Sequence, residues 1–174
     1  VNDAKIFSVY CHKTLGLPKE NIKVYIDATY GKILGALSTL KQISQAYKGD
    51  INVIFYYAGH GVPNEKNNEA YLLPADATPS MLEACLPLSS LYSSIGSIDA
   101  KQAIVFMDAC FSGSRRENGM IVSARGVAIK PKKDIVTGNV VVFSAADGSE
   151  TAYPYKDKGH GLFTYFLLKK LKES

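Results

Sequence analysis

The chain has 174 residues, 47% of them hydrophobic and 21% charged, with a formal net charge of +4. That length buries a core without disulfide or metal staples, and the balance is that of an ordinary globular protein, read here as one domain over residues 1–174. The weak positive charge, with no basic stripe interleaved with stacking aromatics, excludes a nucleic-acid reading, and no apolar run reaches the ~18 residues of a membrane span.

In chain order, apolar positions at Ala4, Phe7, Tyr10 and Cys11 predict a helix over residues 2–15, ended by Gly16 and Pro18. Residues 22–26 alternate as a short strand. Ile33, Leu34, Leu37, Leu40, Ile43 and Ala46 give a second amphipathic helix over residues 30–47. Residues 51–57 (INVIFYY) form a continuous apolar run, the mark of a strand buried on both faces, and it runs into Ala58, Gly59, His60 and Gly61. After a polar loop and the short apolar piece 71–73, residues 86–98 read as a helix. Residues 103–107 (AIVFM) are a second buried strand, running into Asp108, Ala109 and Cys110. Residues 112–138 are predicted as a long linker loop, rich in Gly, Arg and Lys. A third buried strand covers 140–143, and a last amphipathic helix covers 162–171. Alternating helices and β-branched runs of this kind predict an α/β fold with a mostly parallel sheet.

Two of the buried strands lead to a reactive side chain, His60 on one and Cys110 on the other, 50 positions apart. Beyond the carboxyl ends of parallel strands lies the crevice where such sheets bind ligands. A thiol attacks only as thiolate, and a neighbouring imidazole takes its proton and later returns it to the leaving amine. Backbone N–H groups of Gly61 and Cys110 are candidate donors to the tetrahedral oxyanion. A lone buried cysteine is commonly a small hydrophobe, and a lone histidine a satisfied polar group; the weight lies in the pair. Three cysteines, Cys11, Cys85 and Cys110, exclude a full disulfide framework, and no zinc-ligand spacing is present.

Residues 56–61 (YYAGHG) and 108–113 (DACFSG) resemble the two signature segments of caspase-like cysteine peptidases, and the interval of 50 agrees with that family. The resemblance is nearest to bacterial metacaspase-like proteins, the orthocaspases. Residues 73–76 (LPAD), 144–147 (SAAD) and 159–164 (GHGLFT) resemble further recurrent segments of that group. It implies a caspase-like three-layer sandwich, with a mostly parallel central sheet flanked by helices. It implies a cysteine endopeptidase with a Cys–His dyad, Cys110 and His60, acting on protein or peptide substrates. It further implies an acidic pocket that selects Arg or Lys before the scissile bond, built from Asp108 and from the aspartate of the pair Asn2-Asp3. A guanidinium suits a buried carboxylate because it offers a bidentate partner. Asp147 and Glu150 are candidates for another wall, and Ser144 for contact with the substrate backbone. Asp3 and Asp108 also fit plainer roles, as a helix-start acid and a strand-end turn residue.

Two departures from the family pattern stand out. Eukaryotic members often bind calcium through an aspartate-rich loop after the histidine; residues 64–69 carry Glu65 and Glu69 but no aspartate, so no cofactor or metal site is assembled here. The family's first strand is absent ahead of Asn2, which makes the protein's own N-terminal fragment a candidate partner. The linker occupies the position where caspases are cut, and Arg116 and Arg125 are its leading candidates for self-cleavage. An acidic-residue preference would need pocket arginines, and none precedes Arg115. The alternative from a different class is a catalytically silent caspase-like module that binds partners. The compartment stays open.

Overall fold

A computed structural model describes residues 2–64, 66–111, 138–145, 154–155 and 160–173. In chain order the elements are α1 (Asn2–Lys13), α2 (Tyr30–Ala46), β1 (Asn52–Pro63), β2 (Ala70–Leu72), β3 (Leu86–Pro87), α3 (Leu88–Gly96), β4 (Gln102–Cys110), β5 (Val140–Ser144), β6 (Pro154–Tyr155), β7 (His160–Gly161) and α4 (Leu162–Glu173). Local signals explain the helix bounds. α1 carries Asp3 in its first turn and His12 and Lys13 in its last, as its dipole favours. It ends ahead of Gly16, which takes a left-handed φ of 72°. α2 starts at Thr29, whose hydroxyl accepts the Lys32 N–H at 3.3 Å. Asp76, 46 residues downstream, accepts the Tyr30 N–H at 2.9 Å. The LPAD segment thus ties the start of α2 to the loop after β2.

Five strands form one sheet in the order β3-β2-β1-β4-β5. Its long ladders are parallel: β1 runs beside β4 from Asn52↔Gln102 to His60↔Cys110, and β4 beside β5 from Ala103↔Val140 to Met107↔Ser144. The short β2 and β3 extend it antiparallel. β6 and β7 make a separate two-stranded ribbon.

The period of two divides the apolar runs between both faces. Val53, Val105 and Met107 pack with Ile33 and Leu37 of α2 and Leu91 of α3. On the opposite face Ile54, Tyr56 and Phe106 pack with Phe7 and Cys11 of α1 and Leu168 of α4. Phe7 stacks on Tyr56 at 4.3 Å between ring centroids and meets Phe106 edge-on at 5.8 Å. Helices therefore cover both faces, giving the three-layer α/β arrangement that the strand pattern implies.

Three elements differ from expectation. Residues 22–26 pair with no strand among the described residues, and Val24 and Tyr25 are exposed. Alternation encodes a face but cannot supply the neighbour that makes a strand. The helix expected from Leu86 begins at Leu88 instead, because Leu86 and Pro87 pair with Leu72 and Tyr71. β1 and β4 both outrun their apolar segments, so His60, Gly61, Asp108 and Cys110 lie within strands rather than after them. The strand ladder, rather than hydrophobicity, sets their ends.

Candidate active site

The parallel ladder ends with His60 opposite Cys110. Neighbouring strands lie ~4.8 Å apart, so two residues 50 positions apart become adjacent. Strand alternation places positions 56, 58 and 60 of β1 and 106 and 108 of β4 on the face that carries α1 and α4.

The backbone at His60 is held from two sides. Its carbonyl accepts the Leu73 N–H at 3.0 Å and the Tyr57 hydroxyl at 3.0 Å. The Tyr57 hydroxyl also lies 3.3 Å from the Leu73 carbonyl. Burial pushes the Tyr57 phenol well above its ordinary pKa, so it stays protonated and able to donate. Gly59 is required above that ring, since a Cβ there would meet the Tyr57 hydroxyl oxygen at 2.6 Å. The Leu73-to-His60 bond makes Gly61↔Leu72 a non-hydrogen-bonded pair of the antiparallel ladder. The Gly61 N–H is thereby directed away from β2, toward the side on which β4 ends at Cys110.

Cys11 and Cys85 are both buried, at 5% and 2% exposure. Burial raises the pKa of each thiol, with Glu83 adding to the effect at Cys85. Neither has the exposure or the low pKa of a nucleophile.

A second cluster forms where β4, α1 and the start of α4 meet. Asp108 is only 4% exposed. Its Oδ2 accepts the Thr164 hydroxyl at 2.5 Å and the Thr164 N–H at 3.3 Å. Asp3 Oδ2 accepts the Gly161 N–H at 3.1 Å. Two carboxylates distant in sequence thus satisfy backbone donors at the start of α4, which its own helix leaves free. Both acids converge on Gly161: a Cβ at that residue would stand 2.2 Å from Asp108 Oδ2. Gly161→Ala is therefore expected to push the Asp108 carboxylate out of place. Its melting temperature should fall by several degrees, on the order of 1–3 kcal/mol for disturbed buried hydrogen bonds. A thermal melt unchanged from wild type would show that the segment yields freely.

Tyr56 completes the cluster, its hydroxyl 2.6 Å from Thr164 Oγ1. Its phenol pKa is raised, mainly by burial and further by the charges of Asp108 and Asp3, against the lowering effect of the Thr164 bond. Tyr56, Gly161 and Thr164 lie in the segments YYAGHG and GHGLFT, but the sequence assigns none of them a role. The available signals were a tyrosine in a buried strand, whose hydroxyl needs a partner, and a threonine in the first turn of an apolar helix.

Ser144 ends β5 opposite Met107, one register row short of Asp108, and its exposed position lies at the same sheet end as His60. Asp147, Glu150, Arg116 and Arg125 lie outside the described residues, as does the linker 112–137. Among the described residues no group of three or more His, Cys, Asp or Glu side chains is arranged to hold a metal, and no helix is long and apolar enough to cross a membrane.

The family model for the caspase domain matches residues 1–174. A paracaspase of Dictyostelium discoideum is 28% identical over 175 residues, covering 99% of this chain and 39% of that relative. The chain thus spans well under half the length of the curated relative it matches. With a mixed sheet between helices and a match along its whole length, this chain belongs to the caspase-domain family of cysteine peptidases.

Proposed function

We propose that the chain is a cysteine endopeptidase domain in which Cys110 is the nucleophile and His60 its base, and that it cuts after Arg or Lys. The pairing of His60 with Cys110 at the end of the parallel ladder carries this reading. In it, the imidazole takes the thiol proton as sulfur attacks the scissile carbonyl carbon, and the C–S bond forms. The N–H groups of Gly61 and Cys110 receive the oxyanion. The C–N bond then breaks as His60 gives the proton to the leaving amine. Water, deprotonated by His60, cleaves the thioester and frees the acid product and the thiol.

The basic preference is supported by Asp108. Its Oδ2 has two donors, while Oδ1 has none among the described residues, although the group is almost wholly buried. A buried carboxylate oxygen is costly without a partner, and a substrate guanidinium or ammonium would supply one. Asp3 adds a second charge beside it. The same preference makes Arg116 and Arg125 targets for self-cleavage. We also read residues 52–59 of β1 as the place where a further strand adds, such as one from the protein's own N-terminal fragment. Opposite β4, β1 is paired only at residues 61–63 among the described residues.

The test is hydrolysis of fluorogenic peptides ending in Arg, Lys or Asp, with calcium added or chelated, followed by mass spectrometry of the protein. Cleavage after Arg or Lys, with breaks after Arg116 or Arg125, is the expected result. Cleavage after Asp alone would keep the dyad and remove the acidic pocket. Failure to cleave any peptide would leave a silent module. An intact linker in active enzyme would remove self-processing.

A further inference from the structure

The Tyr56–Thr164–Asp108 contacts have a direction that follows from elementary proton counting. An ionised carboxylate only accepts hydrogen bonds, so at 2.5 Å from Asp108 Oδ2 the single Thr164 hydroxyl hydrogen goes to that oxygen. At 2.6 Å on the other side, Tyr56 must then donate its own hydrogen to Thr164 Oγ1. The phenol's raised pKa fits, because the donor stays protonated. The Thr164 N–H adds a second bond to the same Oδ2. Thr164 is fully buried, and Tyr56 is wedged by its stacking on Phe7, so neither hydroxyl turns toward solvent. A carboxylate gripped at one oxygen by two donors cannot rotate freely, and its Oδ1 keeps one direction.

We propose that Thr164, backed by Tyr56, is a positioning residue for substrate specificity: it anchors Asp108 through Oδ2 and so presents Oδ1 to the cationic side chain before the scissile bond. The proposal rests on the reading of Asp108 as a pocket acid. It goes beyond that reading in assigning the aim of the carboxylate to a helix and a strand that do not touch the substrate. An acid that only capped α4 would need the two Thr164 donors but not the Tyr56 hydroxyl behind them.

The variants are Thr164→Val, which keeps the shape, Thr164→Ser, which restores the hydroxyl, and Tyr56→Phe, which keeps the ring. Each is assayed for KM and kcat on a peptide ending in Arg. Each is also assayed for competitive inhibition by the matching product peptides ending in Arg or in citrulline, the neutral isostere. Loss of one charge-assisted hydrogen bond predicts a KM raised ~10-fold for Thr164→Val with kcat held within ~2-fold, and an arginine-over-citrulline preference reduced by the same factor. Tyr56→Phe should show the same pattern at ~3-fold, and Thr164→Ser should return to within ~2-fold of wild type. A purely structural role would lower the melting temperature and weaken both inhibitors equally, and that result overturns the proposal. So does a wild-type preference in Thr164→Val. If Thr164→Val does not fold, Tyr56→Phe decides: a reduced preference supports the proposal and an unchanged one overturns it. If wild type itself does not prefer arginine over citrulline, the pocket reading falls and takes the proposal with it.

Discussion

Cys110→Ala is expected to abolish peptide hydrolysis, lowering kcat by ~10⁴-fold or more, because the variant has no atom to form the covalent intermediate. His60→Ala should lose ~10²- to 10⁴-fold, the range of a general base and acid. The two losses should not add, since the base serves only the nucleophile it deprotonates. The double variant is therefore expected to match Cys110→Ala alone. Additive losses would mean that His60 acts elsewhere. An independent readout comes from alkylation. Cys11 and Cys85 are buried, with thiol pKa values pushed up by that burial. Iodoacetamide at neutral pH should therefore label wild type at Cys110 and leave folded Cys110→Ala essentially unlabelled. Equal labelling of both proteins, found by mass spectrometry, would defeat the assignment of Cys110 as the activated thiol.

The second large effect is expected at the acidic pair. Asp108→Asn keeps an oxygen that can accept from Thr164 but removes the charge that a basic substrate would meet. Removing one partner of a buried ion pair typically costs 3–5 kcal/mol, so kcat/KM on peptides ending in Arg or Lys should fall by ~10²-fold or more. Asp3→Asn should show a smaller loss, because Asp3 is less buried than Asp108. Asp108→Ala should lose both activity and stability. It strips the start of α4 of its carboxylate and leaves the Thr164 donors unsatisfied, at a cost of ~1–3 kcal/mol. If Asp108→Asn cleaves arginine peptides at the wild-type rate, Asp108 is a cap for α4 and nothing more. Comparing the asparagine and alanine variants therefore separates the two roles.

The central parallel strands are legible in the amino-acid pattern alone. AIVFM is apolar at every position and INVIFYY at every position but Asn52, and only a strand covered on both faces makes use of that. The structure distributes their side chains between α2 and α3 on one face and α1 and α4 on the other. A histidine and a cysteine just past those runs were legible as neighbours because parallel strands share their carboxyl end. Their row-for-row pairing was not legible, since periodicity fixes faces and leaves register to the ladder. Residues 22–26 show the same limit: alternating side chains, but no adjoining strand among the described residues. The contacts that hold the acidic pair were the most hidden. Asp3 was readable as a helix-start acid and Asp108 as a strand-end acid, yet they meet through Gly161 and Thr164, at separations of 158 and 56 residues. Hydrophobic pattern is a local property of the chain. Which donor reaches which carboxylate depends on how α1 and α4 come together over the same face of β1 and β4, a contact between segments far apart in the chain.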